Sequence, residues 1–298
     1  MNLIVGATGL LGSFISRRLR ELGRPVKALV RSTADPGRLE ALRQAGAELA
    51  FGDLKDPPTL ASACRGVSAV ITTASSTLSH QPGDSIETVD RQGGLALIDA
   101  AKAAGVSRFV YTSIPAAMRY ESPLTRAKAE VERRLAESGI DYTILAANYF
   151  MEVWLSPAVG FDYANARVTI YGHGENPLTW VSYRDVGELA VQCLASSGAR
   201  HRKLLIGGPQ HLSPREVVRV FEEVSSRAFS IETISEQALL ARRQGAGDAL
   251  SETFAALMLD YAAGCVMDMT ETLRLVPLRL ASVREYAREV TGAKGAAA

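Results

Sequence analysis

The chain has 298 residues, 47% hydrophobic and 22% charged, with a formal net charge of +1. That size and composition suit a globular protein with a large buried core, and the near-neutral balance offers no field to draw nucleic acid or an anionic membrane. No apolar run reaches the roughly 18 residues of a membrane span, and no basic stretch leads into an apolar one with a cleavage site, so a secretory leader is not expected.

In chain order, NLIVGA (2–7) is a short buried strand. GSFISRRLRELG (12–23) places Phe14, Ile15, Leu19 and Leu22 on helical spacing, with Gly23 as a stop signal. PVKALVR is the next strand, PGRLEALRQAGAE a helix ended by Gly46, LAFGDL a strand tip and PPTLASACRG a short helix opened by prolines. VSAVITTAS is a strand, residues 86–105 one long helix, VSRFVYTSI a strand, PLTRAKAEVERRLAESG a helix and DYTILAANYF the sixth strand. This alternation predicts an α/β protein, a Rossmann-type doubly wound parallel sheet with its ligand crevice at the carboxyl ends of the strands.

After residue 150 the alternation weakens. ARVTIYGHGENPLTWVSY reads as strand, turn and strand, RDVGELAVQCLAS as a helix, and KLLIGG as a short strand. LSPREVVRVFEEVSSR begins with Ser213 as a cap and Pro214 in the first turn, and LSETFAALMLDYAAGC is a further apolar-rich helix. The division expected is a nucleotide-binding domain over 1–150 and 179–206, with a smaller discontinuous α/β lobe over 151–178 and 207–298 closing the crevice. The tail GAKGAAA reads as frayed.

The first chemical motif is VGATGLLG. Gly6, Gly9 and Gly12 lie between a strand and a helix, where glycine allows a tight turn, close approach of a pyrophosphate, and close packing of helix on strand. The loop and first turn, Gly6, Thr8, Gly9, Leu10, Leu11 and Gly12, then present free N–H groups to phosphate. The second strand ends in Arg31 and Ser32. An acid there would suit the ribose hydroxyls of NAD, whereas the planar fork of arginine suits a 2′-phosphate, with serine adding a hydrogen bond. NADP(H) is therefore expected in preference to NAD(H). Cys64, Cys193 and Cys265 are few, odd in number and widely spaced, which points to free thiols and a cytoplasmic setting. His80, His173, His201 and His211 share no ligand spacing, and no metal is expected.

With GATGLLG, LVR, GDL at 52–54 and AGVSRFVYTS at 104–113, the chain resembles the atypical short-chain dehydrogenase/reductases, and within them the NmrA-like proteins. That group includes NADP(H)-dependent quinone reductases, a triphenylmethane dye reductase, isoflavone-reductase relatives and redox-sensing regulators without turnover. The resemblance extends to about residue 225, through YTILAANYFMEVW and WVSYRDVGELA. It implies that Asp53 and Leu54 flank adenine, that Ala74 and Ser75 line the ribose, and that Lys128 hydrogen-bonds the nicotinamide ribose. It also implies that Asn148, Tyr149 and Phe150 lie near nicotinamide and substrate, and that Ser113 orients the substrate. One departure is AAN at 146–148, where the family often has an arginine and a proline.

A second departure carries more chemistry. In the wider superfamily a tyrosine four residues before the lysine exchanges the proton, and the residue here is Leu124. General acid catalysis is commonly worth about 10²–10⁴-fold, so alcohol–ketone chemistry and epimerisation are disfavoured. Tyr120 is a weak substitute, and Tyr111 reads as interior to its strand. A quinone, conjugated enone or iminium accepts hydride without a strong acid, so the function expected is NADPH-dependent reduction of such a small molecule. The alternative is a non-catalytic NADP(H) sensor or assembly protein acting on a protein partner. A homodimer through the helices at 88–104 and 123–138 is a further possibility the sequence leaves open.

Overall fold

Apolar four- to seven-residue runs, each followed by a turn and a helix, build one large sheet. The computed structural model describes residues 1–292 except His80 and Ala117, so the 293–298 tail and His80, expected to be no metal ligand, lie outside the described residues. The first half runs β1 (Asn2–Val5), α1 (Leu10–Glu21), β2 (Val26–Val30), α2 (Pro36–Gln44), β3 (Glu48–Phe51), α3 (Pro57–Cys64) and β4 (Ala69–Thr72). A π-helical stretch (Ile86–Gly93), α4 (Gly94–Ala103), β5 (Arg108–Ser113), α5 (Pro123–Ala136) and β6 (Asp141–Ala147) follow.

Then come β7 (Tyr149–Phe150), α6 (Met151–Trp154), β8 (Phe161–Asp162), β9 (Arg167–Tyr171), β10 (Leu178–Val181), α7 (Tyr183–Cys193) and β11 (Arg202–Ile206). The last part is β12 (His211–Leu212), α8 (Pro214–Ser225), β13 (Ser230–Ile234), α9 (Glu236–Gln244), α10 (Ala249–Ala263), α11 (Thr270–Leu275) and α12 (Val283–Thr291).

Seven strands in the order β11-β6-β5-β4-β1-β2-β3 form a parallel sheet. Both of its faces are covered, as a parallel sheet requires. Along β1, Ile4 joins Ile15 and Leu19 of α1 and Leu189 of α7 on one face. Leu3 and Val5 join Leu60, Leu97, Ile98 and Leu135 of α3, α4 and α5 on the other. This is the Rossmann-type sheet the alternation predicts.

Three boundaries differ from the sequence reading. The sixth strand ends at Ala147 rather than running to Phe150, because Asn148 turns its amide to the Cys265 carbonyl at 3.0 Å. Tyr149 and Phe150 then pair with Trp180 and Val181 in another sheet. The helix expected over 86–105 is π-helical up to Gly93, started by a Ser85–Thr88 capping box. The segment 269–280 falls within the stretch expected to form the small lobe. Its Met269, Val276, Leu273 and Leu278 pack into the core of the large sheet, and Thr272 Oγ1 donates to the Leu205 carbonyl at 2.7 Å.

The small lobe has its own core. Two three-stranded sheets, β12-β10-β7 and β13-β9-β8, pack with α8, α9, α10 and α12 around Trp180, Phe221, Leu239, Leu259 and Tyr286. Its centre is aromatic: Trp154 stacks on Tyr261 at 5.5 Å between ring centroids, and Tyr149 meets both edge-on at 4.8 and 5.9 Å.

Candidate cofactor and active site

The glycine loop is shaped by close approach. Gly6 has φ +83°, and a Cβ there would meet the Ala74 nitrogen at 2.9 Å. A Cβ at Gly12 would lie 2.2 Å from the Gly6 carbonyl oxygen. Gly9 donates its N–H to that carbonyl at 3.0 Å and caps α1 without a side-chain hydrogen bond. The N–H groups of Leu10, Leu11 and Gly12 therefore open the helix with no acceptor among the described residues. An uncapped helix start beneath a cradle only glycine can line fits the pyrophosphate of a dinucleotide. Leu11 points into the core, whereas Leu10 is exposed.

Thr8 contributes its carbonyl, which accepts Arg38 Nη1 at 3.1 Å. Arg38 was not singled out from sequence. The available signal was a cation in the first turn of α2, where the helix dipole disfavours one unless an anion is to be bound.

Arg31 leaves the end of β2 half-buried, and Ser32 beside it is exposed. Arg31 Nη1 donates to Asp84 Oδ2 at 2.6 Å, and Lys55 Nζ donates to Asp84 Oδ1 at 2.6 Å. Asp53 lies next to them, its Oδ1 accepting the Lys55 N–H at 2.9 Å, with Leu54 half-buried alongside. Burial would raise the Asp84 carboxyl, but hydrogen bonds from Lys55, Ser79 and Arg31 outweigh it and hold the group below its usual range. Asp84 too was missed, because it stands in a loop with no motif.

At the end of β4, Ala74 and Ser75 are half-buried. Ser76 donates both its N–H (3.0 Å) and its hydroxyl (2.6 Å) to Asp90 Oδ2 in the π-helical stretch. Asp90 Oδ1 has no hydrogen-bond partner among the described residues and lies 4.0 Å from Lys128 Nζ. Lys128 is buried, donates to the Thr112 carbonyl at 3.3 Å, and sits 5.1 Å from the centre of the Tyr111 ring. Burial pulls the Lys128 pKa down, yet Tyr111, Asp90 and Glu132 together raise it, so the ammonium stays charged. Tyr111 is interior, as its strand position suggested, and burial raises its phenol. Ser113 donates to Glu132 on α5, and Glu132 pairs with Lys203 of β11 at 2.8 Å.

Leu124 is buried in a small apolar cluster with Ile86 and Ala127, and Leu250 of α10 packs on it. The position where a proton donor was sought is thus an apolar contact between the two lobes. Tyr120 carries Arg243 over its ring at 5.7 Å, and Asp260 Oδ1 accepts the N–H groups of Arg119 and Tyr120 at 2.6 and 3.2 Å.

Beyond β6, Asn148 and Tyr149 are buried and Phe150 is half-buried. Asn148 Oδ1, the Tyr149 hydroxyl and Asp260 Oδ2 are all buried without a hydrogen-bond partner among the described residues. Burial, then the nearby Asp260 carboxylate, pushes the Tyr149 phenol well above its ordinary value. Tyr149 therefore packs in the aromatic core with its phenol protonated. The sequence-predicted residues fall into a phosphate end around the glycine loop and a second group around Lys128, with Asn148 and Tyr149 in the small lobe.

A model of the NmrA-like family matches residues 2–272. The chain belongs to the NmrA-like family. Among its relatives is an NAD(P)H azoreductase of Xenophilus azovorans, 32% identical over 304 residues that span 100% of both chains. Another is the photosystem II assembly factor Ycf39 of Guillardia theta, 31% identical over 80% of this chain and 74% of that one. The NmrA-like fold is also that of an NADPH-dependent quinone oxidoreductase of Escherichia coli solved with NADPH. It has a TM-score of 0.77 and 23% identity over 97% of this chain and 99% of that one. The Citrobacter triphenylmethane reductase has a TM-score of 0.78 and 19% identity over 98% and 99%. No helix among the described residues is long and apolar enough to cross a membrane.

Proposed function

We propose that this NmrA-like protein is an NAD(P)H-dependent reductase that binds NADP(H) and reduces a conjugated, electrophilic small molecule by direct hydride transfer. The observation that carries this reading is Leu124. It is buried against Ile86 and Leu250 in a chain whose phosphate cradle is intact, so the site holds a dinucleotide without the usual acid. A reduced nicotinamide supplies the hydride.

The chain's own residues bind and orient. The N–H groups of Leu10, Leu11 and Gly12 face the phosphates, and Arg31 and Arg38 meet the 2′-phosphate. Asp53 and Leu54 flank adenine, Ala74 and Ser75 line a ribose, and Lys128, held charged beside Asp90, fixes the nicotinamide ribose. Tyr149 and Phe150 bound the substrate side. A quinone, enone, iminium or azo acceptor delocalises the incoming charge, so position and exclusion of water are the protein's main contributions.

Ser113 is given no substrate contact in this reading, because its hydroxyl donates to Glu132. The azoreductase relative, matching across both whole chains, supports turnover. The assembly-factor relative favours a second reading, an NADP(H)-binding protein that signals to a partner.

The test is calorimetric titration with NADPH beside NADH, followed by NADPH oxidation against quinones, enones, iminium dyes and azo dyes. Binding with turnover of at least one class is expected. Binding without turnover of any class would favour the second reading, and no binding would sink both.

A further inference from the structure

We propose that Asp84 sets how strongly this protein prefers a 2′-phosphorylated dinucleotide, because its carboxylate rivals the 2′-phosphate for Arg31 and Lys55. The inference rests on the reading of Arg31 as a phosphate ligand.

Asp84 bridges the two cations, one oxygen to each, at 2.6 Å. Its side chain is only 2% exposed, while those of Arg31 and Lys55 keep 33% and 26% exposure. The anion is thus enclosed by cations that themselves face outward, where a ligand would arrive. The loop holds it there. Ser79 donates its hydroxyl to Asp84 Oδ2, Lys55 Nζ donates to the Pro82 carbonyl at 3.1 Å, and Thr88 Oγ1 donates to the Gly83 carbonyl at 2.9 Å.

The charges close on themselves. Arg31 and Lys55 meet Asp84 and, 3.8 Å from Lys55, Asp53, so the four groups sum to zero. An incoming phosphate dianion finds two well-placed donors whose charge Asp84 and Asp53 cancel, with the single charge of Arg38 beside them, and it must take hydrogen bonds that a carboxylate already holds. The adenine and diphosphate shared with NADH are untouched by that competition, so Asp84 acts on the difference between the two cofactors.

The experiment measures NADPH and NADH dissociation constants at low ionic strength, where such charges are least screened. The proteins are the wild type, Asp84→Asn, and Asp84→Asn combined with Arg31→Gln. The near-isosteric asparagine keeps an acceptor for Ser79 and removes the charge. NADPH is expected to tighten about tenfold in Asp84→Asn, the scale of one near-surface charge interaction. NADH should stay unchanged, which also shows the fold is intact, and the NADPH gain should vanish in the double variant. An unchanged NADPH/NADH ratio would overturn the proposal. So would weaker NADPH binding, which would make Asp84 an orienter of Arg31, and so would a variant that binds neither cofactor. A wild type that binds neither would bring down the NADP(H) reading first and this inference with it.

Discussion

Asp185, in the first turn of α7, shows what burial does to one carboxylate near the joint of the lobes. It accepts the Ala281 N–H at 2.8 Å, but burial dominates and, with Glu152 nearby, lifts its pKa from 3.8 to about 6. Below about pH 4 the group is protonated folded or unfolded. From about 4 to about 6 the folded chain keeps a proton that the unfolded chain gives up, so stability falls as pH rises through that window and stays lowered above it. Asp185→Asn should therefore stabilise the protein at pH 7.5 by on the order of 1–2 kcal/mol, with the gap closing near pH 4. Urea unfolding at the two pH values checks this, and a gap independent of pH would refute it. Such residues carry no local signature. Gly6 and Gly12 stand out in the sequence because the close approaches they allow follow from spacing along the chain, and Lys128 because of a resemblance, whereas Arg38, Asp84 and Asp90 act through partners that spacing does not show.

Helices and strands of the large sheet stand out in the sequence through apolar periods of 3.6 and runs of Val, Ile and Leu, with Gly23, Gly46, Gly66, Gly105 and Gly139 closing the first five helices. What period cannot show is where two elements need to touch. At Gly187 α7 crosses α1, and a Cβ there would lie 2.4 Å from Phe14 Cδ1. Gly187→Ala must push that ring aside, and overpacking of this kind costs about 1–3 kcal/mol. Thermal unfolding should register a lower midpoint, and an unchanged midpoint would mean that the helices separate freely. The π-helical turn was equally hidden. Gly93 and Gly94 lie where a Cβ would meet Leu54 Cβ and Val131 Cγ2 at 2.7 and 2.8 Å, and in sequence they read as two more residues of one helix.

Across the whole molecule, the glycine loop is local in sequence and the aromatic core of the small lobe is not. Tyr149, Trp180 and Tyr261 meet from three separate segments to form the core of the small lobe, and no motif after residue 150 shows that meeting in the sequence. The lobes are also tied by Asp260, whose carboxylate on α10 holds the backbone of Arg119 and Tyr120 in the β5–α5 connection. Asp260→Ala leaves those N–H groups without their acceptor. Limited trypsin digestion should then cleave after Arg119 several times faster while global stability changes less, and an unchanged cleavage rate would show that other contacts hold this connection.

The strand order has a consequence for synthesis. β11, an outer strand of the large sheet, is the last of its seven in sequence, and residues 149–181, which build much of the small lobe, precede it. The Phe221–Tyr286 contact, at 6.3 Å between ring centroids, forms only once α12 has emerged. Pairings over such separations are slow. The growing chain therefore carries six strands of the large sheet beside an open aromatic surface until the last helices are made, and that surface is where a chaperone would first take hold.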